Sequence, residues 1–171
     1  GASNTAIGRE ALHSNTTASS NTAVGKHSLR NNTTGASNTA VGKDALSINS
    51  TGTNNVAVGE NALANNTTAD QSTALGQNAL LTNTTGASNV AVGHDSLRLN
   101  TTASNNTAVG TDSLRANTTG TENTAMGALA LDACTTGSTN VGIGVNSLGA
   151  LTTGSGNTAI GDDSVSTGVV T

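Results

Sequence analysis

A glycine recurs at every seventeenth position of this chain, from Gly8, Gly25 and Gly42 through to Gly144 and Gly161, with no insertion or deletion between copies. Self-similarity at a fixed short period marks a repeat architecture, in which each unit is one supersecondary element stacked on the next. Seventeen residues are too few for two helices and their turns. They suffice for short strands joined by turns.

Residue types agree with strands. The pentad ending in the recurrent glycine reads Asn38-Thr39-Ala40-Val41-Gly42, and its continuation carries Ala45-Leu46 and then Asn49-Ser50-Thr51-Gly52. β-Branched residues, glycine at two phases and Asn-rich punctuation all oppose helix and favour strand and turn. Proline is absent, so nothing interrupts backbone pairing. The expected fold is all-β: a parallel β-solenoid, or β-roll, of ten 17-residue coils with two short strands each, running through residues 1–171 as a single repetitive segment. In such a solenoid each coil contacts only its neighbours. At about 4.8 Å per coil, ten coils give a rod about 48 Å long.

The periodicity overrides what composition alone would suggest. Only 9% of residues are charged and none is aromatic. Few large apolar residues would ordinarily leave a chain disordered. Stacking identical coils supplies a core that one coil cannot supply alone.

Two columns stay apolar through the repeats. One runs from Ile7 through Val24 and Val41 to Ile160, the other from Leu12 through Leu29 and Leu46 to Val165. Both are expected to be core. Strand alternation places Thr5 and its equivalents on the face of Ile7, and Val56, Val90 and Val141 in that column support burial. The Ala6-to-Ala159 column then faces the other way. Its smallness implies that something packs close against it. A homotrimer burying this Ala face is the expectation. Asn15, Asn32, Asn49 and their successors to Asn117 are expected to point inward as an amide ladder; Cys134 and Leu151 continue that column.

The pentads Asn55-Val56-Ala57-Val58-Gly59 and Asn89-Val90-Ala91-Val92-Gly93, followed two residues later by Ala62 or Ser96, resemble the head repeat of trimeric autotransporter adhesins. That resemblance implies a left-handed parallel β-roll with three chains side by side. The longer unit, with Ala-Leu and Asn-Thr-Thr-Gly, is similar to repeats of phage tail-fibre proteins that end in a self-cleaving chaperone domain. Both resemblances imply an extracellular location, on a bacterial surface or a virion. The chain begins and ends within the repeat and is expected to be a piece of something longer.

Chemistry is sparse. Net charge is −4, with no Lys/Arg cluster and no aromatic platform, which disfavours nucleic-acid binding on electrostatic and stacking grounds. No apolar run approaches a membrane span. His13, His27 and His94 fall at variable turn phases with no acid–nucleophile arrangement, and Cys134 is expected to be a buried structural thiol. Asp95 and Asp112 lie one repeat apart, each with an Arg three residues on (Arg98, Arg115), and are expected to form surface ion pairs. Neither enzymatic activity nor a cofactor or metal is expected. The candidate contacts to a host-surface or matrix ligand are the variable residues Arg9, Glu10, Lys26, His27, Lys43, Asp44, His94 and Asp95. The alternative is ice binding through stacked Thr pairs such as Thr16-Thr17, Thr33-Thr34 and Thr67-Thr68. Adjacent residues of a strand face opposite ways, so only one Thr of each pair could share a face.

Overall fold

A computed structural model describes residues 1–165 as one ten-stranded parallel sheet with no helix, its strands ordered in space as in sequence. The strands are β1 Thr5–Ile7, β2 Thr22–Val24, β3 Thr39–Val41, β4 Val56–Val58, β5 Thr73–Leu75, β6 Val90–Val92, β7 Thr107–Val109, β8 Thr124–Met126, β9 Val141–Ile143 and β10 Thr158–Ile160. Each pairs with its copy in the next coil without slippage, as in Thr39↔Val56 and Val41↔Val58. The solenoid expectation holds. Nine steps of about 4.8 Å stack the strands over about 43 Å.

Each coil carries one strand, not two. The expected second strand around the Leu column is a run of turns, because the leucines themselves sit in left-handed backbone, φ +49° to +54° from Leu12 to Leu148. The residue two before each Leu, such as Asp44 or Asn61, is left-handed too. This conformation costs an L-residue about 1 kcal/mol or more. Two things offset it. The Leu side chains are driven into the coil, where each is worth about 1.5–3 kcal/mol when buried. The backbone also keeps bonding coil to coil through the turns: Leu29 N donates to Ala45 O at 3.0 Å and Asn31 N to Ser47 O at 3.1 Å.

The facing of the strand is the reverse of the sequence expectation. The Ala column is inside: Ala23, Ala40, Ala57, Ala74 and Ala91 are fully buried. The Ile7-to-Ile160 column points outward, with Val58 38%, Leu75 37% and Met126 43% exposed. The Thr5 column points outward with it, half-buried or exposed throughout. The reason is width. Buried leucine already fills the coil from the far side, leaving room for a methyl opposite it. Where glycine replaces alanine, at Gly142, a Cβ would lie 3.2 Å from Leu131 Cγ. What packs against the Ala face is therefore the chain's own Leu column, and that face is not free to bury against another chain. The Leu column is core as expected, from Leu29 to Leu148. Val165, at the end of the described stack, is exposed.

Two amide ladders complete the interior. In the expected one, Asn49 Nδ2 donates to Asn32 Oδ1 at 2.7 Å, and Asn66 Nδ2 to Asn49 Oδ1 at 2.7 Å. The second begins each pentad. Asn38 N donates to Asn21 Oδ1, and Asn55 N to Asn38 Oδ1, both at 2.9 Å. The ladders converge on shared carbonyls: Gly52 O accepts from Asn38 Nδ2 at 2.8 Å and Asn49 Nδ2 at 3.0 Å. Buried polar groups are tolerable only when paired in this way.

Candidate functional site

With the interior spoken for, function has to come from the outer surface, and three outer strips differ in character. The first is the rim just after the recurrent glycine, where the candidate contact residues lie. Gly76 and its equivalents turn the chain there at φ of about +130°. The two residues that follow are Arg9-Glu10, Lys26-His27, Lys43-Asp44 and His94-Asp95 in successive or later coils. All eight candidates therefore share one rim, as their common phase predicts. Arg9, Lys26, Lys43 and His94 are exposed, while Glu10, His27, Asp44 and Asp95 are half-buried.

The rim charges are largely engaged with one another. His27 sits between coils, with Nδ1 2.9 Å from Asp44 Oδ1 and Nε2 3.5 Å from Glu10 Oε2. Arg30 Nε lies 2.8 Å from Glu10 Oε2, and Arg9 Nε 3.6 Å from Glu10 Oε1. Lys43 Nζ donates to Glu60 Oε1 at 2.8 Å, and this bond raises the Lys43 pKa above its usual value. His27 is thus less solvated than its turn phase implies. The signal in sequence was the acidic residue one repeat away on either side.

Farther along, Asp95 accepts from Asn78 Nδ2 at 2.9 Å and lies 3.8 Å from Arg98 Nε; Asp112 lies 3.6 Å from Arg115 Nε. The expected ion pairs are present but long. Exposed pairs of this kind contribute about 0–1 kcal/mol. Ligand atoms of His94, Asp95 and Asp112 lie within 4.8 Å of one another, with Arg98 and Arg115 beside the two carboxylates and Asn78 donating to Asp95. Asp132 has its carboxyl pKa raised, chiefly by burial.

The second strip is the outward strand face. Its twenty positions, two per coil, hold only Thr, Val, Ile, Leu and Met. No charge enters it.

The third strip is the Asn-Thr-Thr segment. From Asn32 to Asn117 the Asn, although in a glycosylation-like pattern, is buried with its amide bonded and is not available as an acceptor. The first Thr (Ser50 in one coil) donates its hydroxyl to the matching carbonyl of the next coil at 2.9–3.1 Å, from Thr16 to Thr135. The second Thr, from Thr17 to Thr153, is exposed in all nine coils that carry it.

Cys134 takes an Asn-ladder position and is fully buried, its Sγ 3.7 Å from Gly137 O. Burial pushes its thiol pKa above the usual range, which suppresses the reactive thiolate. The native protein should therefore leave Cys134 unmodified by a disulfide reagent such as Ellman's over minutes, and release one thiol on denaturation. Prompt stoichiometric labelling of the folded chain would contradict this burial.

Comparison with family models, curated proteins and solved structures gave no match.

Proposed function

We propose that this chain is a stiff section of an extracellular fibre, on a bacterial surface or a virion, assembled side by side with two further copies of itself. The observation that carries the reading is the unbroken repetition. Ten strands pair in one register with no bulge, and each coil ties to the next by backbone bonds and amide ladders. Such a stack yields length and resistance to bending.

Self-association rests on the outward strand face. An apolar column ten residues long runs without a break from Ile7 to Ile160, half-buried or exposed along its whole length, and contiguous outward apolar surface marks interaction sites. Its occupant should be uncharged, apolar and of the same period along the rod, and a second copy of this chain meets all three conditions. Three copies are what the adhesin-head resemblance implies. The face differs from the Ala face first expected, because the Ala face is filled from within. On the remaining surface, the rim residues Arg9, Glu10, Lys26, His27, Lys43, Asp44, His94 and Asp95 would supply weak contacts to a host surface or matrix, made effective by the number of copies in a fibre.

Light scattering tests the assembly. The expected mass is three chains, falling to one chain in the Val58→Lys, Val92→Lys double variant, with the β-type circular dichroism retained. A parent protein with the mass of a single chain at tens of micromolar would refute self-association through this face.

A further inference from the structure

The second Thr of each Asn-Thr-Thr segment presents a puzzle that the fibre reading does not answer. Thr17 recurs as Thr in nine successive coils to Thr153, and Val170 stands at the next equivalent position. All nine are exposed. The exposed rim, by contrast, varies freely: the position after the recurrent glycine runs through Arg9, Lys26, Glu60, Gln77, His94 and Val145.

The fold itself does not require this Thr. Its backbone is not among the left-handed positions. The structural hydroxyl belongs to its neighbour, which donates to the next coil, as Thr67 does to Thr84 O at 3.0 Å. Among the described residues no chain group pairs with the hydroxyls of the second column. Ser, Asn or Asp would suit a turn equally, yet none occurs there.

We propose that this column binds ice. A small ligand would touch one or two coils and would hold Thr at one or two positions. Nine identical positions, spaced about 4.8 Å apart from coil to coil, fit a ligand that is itself rigid and periodic over the same length. No charge enters the column, so the ligand is neutral. Each Thr offers one hydroxyl, able to donate and to accept, beside one methyl. Ice presents both roles at every lattice site. A crystalline neutral polysaccharide is the other periodic candidate, but sugar rings are gripped by aromatic faces and the chain has no aromatic residue. A stack held by two amide ladders is already ordered, so little freedom is lost on docking. Many weak contacts then add along one rod. The strand-face threonines do not qualify, because Val56, Val90 and Val141 interrupt them. Of each Thr pair, then, only the second member serves, its partner's hydroxyl being used within the stack.

The test uses the chain as it stands. Thermal hysteresis, ice shaping and adsorption of a fluorescently labelled sample to a growing ice crystal should all be positive at micromolar protein. The Thr68→Lys, Thr85→Lys double variant should lose about tenfold or more of the hysteresis while melting like the parent by circular dichroism. Gln77→Lys, on the rim, should keep it. Absence of ice adsorption by the parent overturns the assignment, as does full activity in the double variant. Retention on insoluble cellulose or chitin without ice adsorption would overturn it in favour of a polysaccharide. The fibre reading is tested separately: a single-chain mass in light scattering leaves ice adsorption untouched.

Discussion

Leu80→Asp should unfold the middle of the rod. Leu80 is fully buried and faces the equally buried Ala column. A carboxylate there has no cationic partner, and burying an unpaired charge costs several kcal/mol. Coils contact only their neighbours, so the loss spreads to the coils on either side before it is contained. The expected result is a large drop in melting temperature, or two separate transitions for the halves of the rod, by circular dichroism. The paired control is Leu75→Asp. Leu75 lies five residues earlier on the outward face and is 37% exposed, so its coil should persist with the β-type spectrum intact. Equal damage from both substitutions would show that the inside and outside of the coil have been assigned wrongly.

Gly76→Ala should be nearly as harmful, although it adds one methyl. Gly76 has φ +137°, and a Cβ there would lie 2.5 Å from the Gly93 carbonyl oxygen and 2.7 Å from its carbon. Both obstacles are backbone, so no side chain can rotate away. Strain at such a backbone angle is about 1–3 kcal/mol, and relieving the overlap would push apart neighbouring coils that are hydrogen-bonded to each other. Gly156 supplies the contrast. It occupies a left-handed position, φ +73°, and a methyl added there would meet nothing within 4 Å; its equivalents in other coils are Ser37, Asn54 and Asn105. Gly156→Asn should shift the melting temperature by little, whereas Gly76→Ala should lower it by several degrees or more. Comparable melting of the two variants would mean that the recurrent glycine is not kept by the close approach of successive coils.

These contrasts show where sequence reasoning succeeded and where it failed. The period fixed the parallel stacking, because only in-register pairing lets every copy occupy the same environment. The Leu column was readable as core from its constancy. The same criterion misplaced Ile7 and its equivalents, since an apolar residue is held constant equally well by an interior or by a surface that must stay free of charge. The Ala column carried the correcting clue. Its smallness does mean close packing, but against Leu from the same chain. The left-handed leucines left no trace in residue type, because leucine does not announce a turn, and so a second strand was expected where none forms. One Asn ladder was visible through its replacement by Cys134 and Leu151. The other was missed, though Ser72, its one departure among Asn residues, still offers an oxygen to Asn89 N at 3.3 Å. The rim residues stood out in the sequence by their variability; their mutual pairing needed the coil spacing as well as the phase.

The strict register of β1 to β10 has a consequence for how such a gene can change. Any stretch of seventeen codons can be lost or duplicated, starting at any phase, and the rejoined chain still meets its neighbours strand to strand, Asn to Asn and Leu to Leu. Misaligned recombination between copies, which would wreck an ordinary domain, here only resets the length of the rod. Reach becomes a trait that can vary among descendants without passing through an unfolded intermediate.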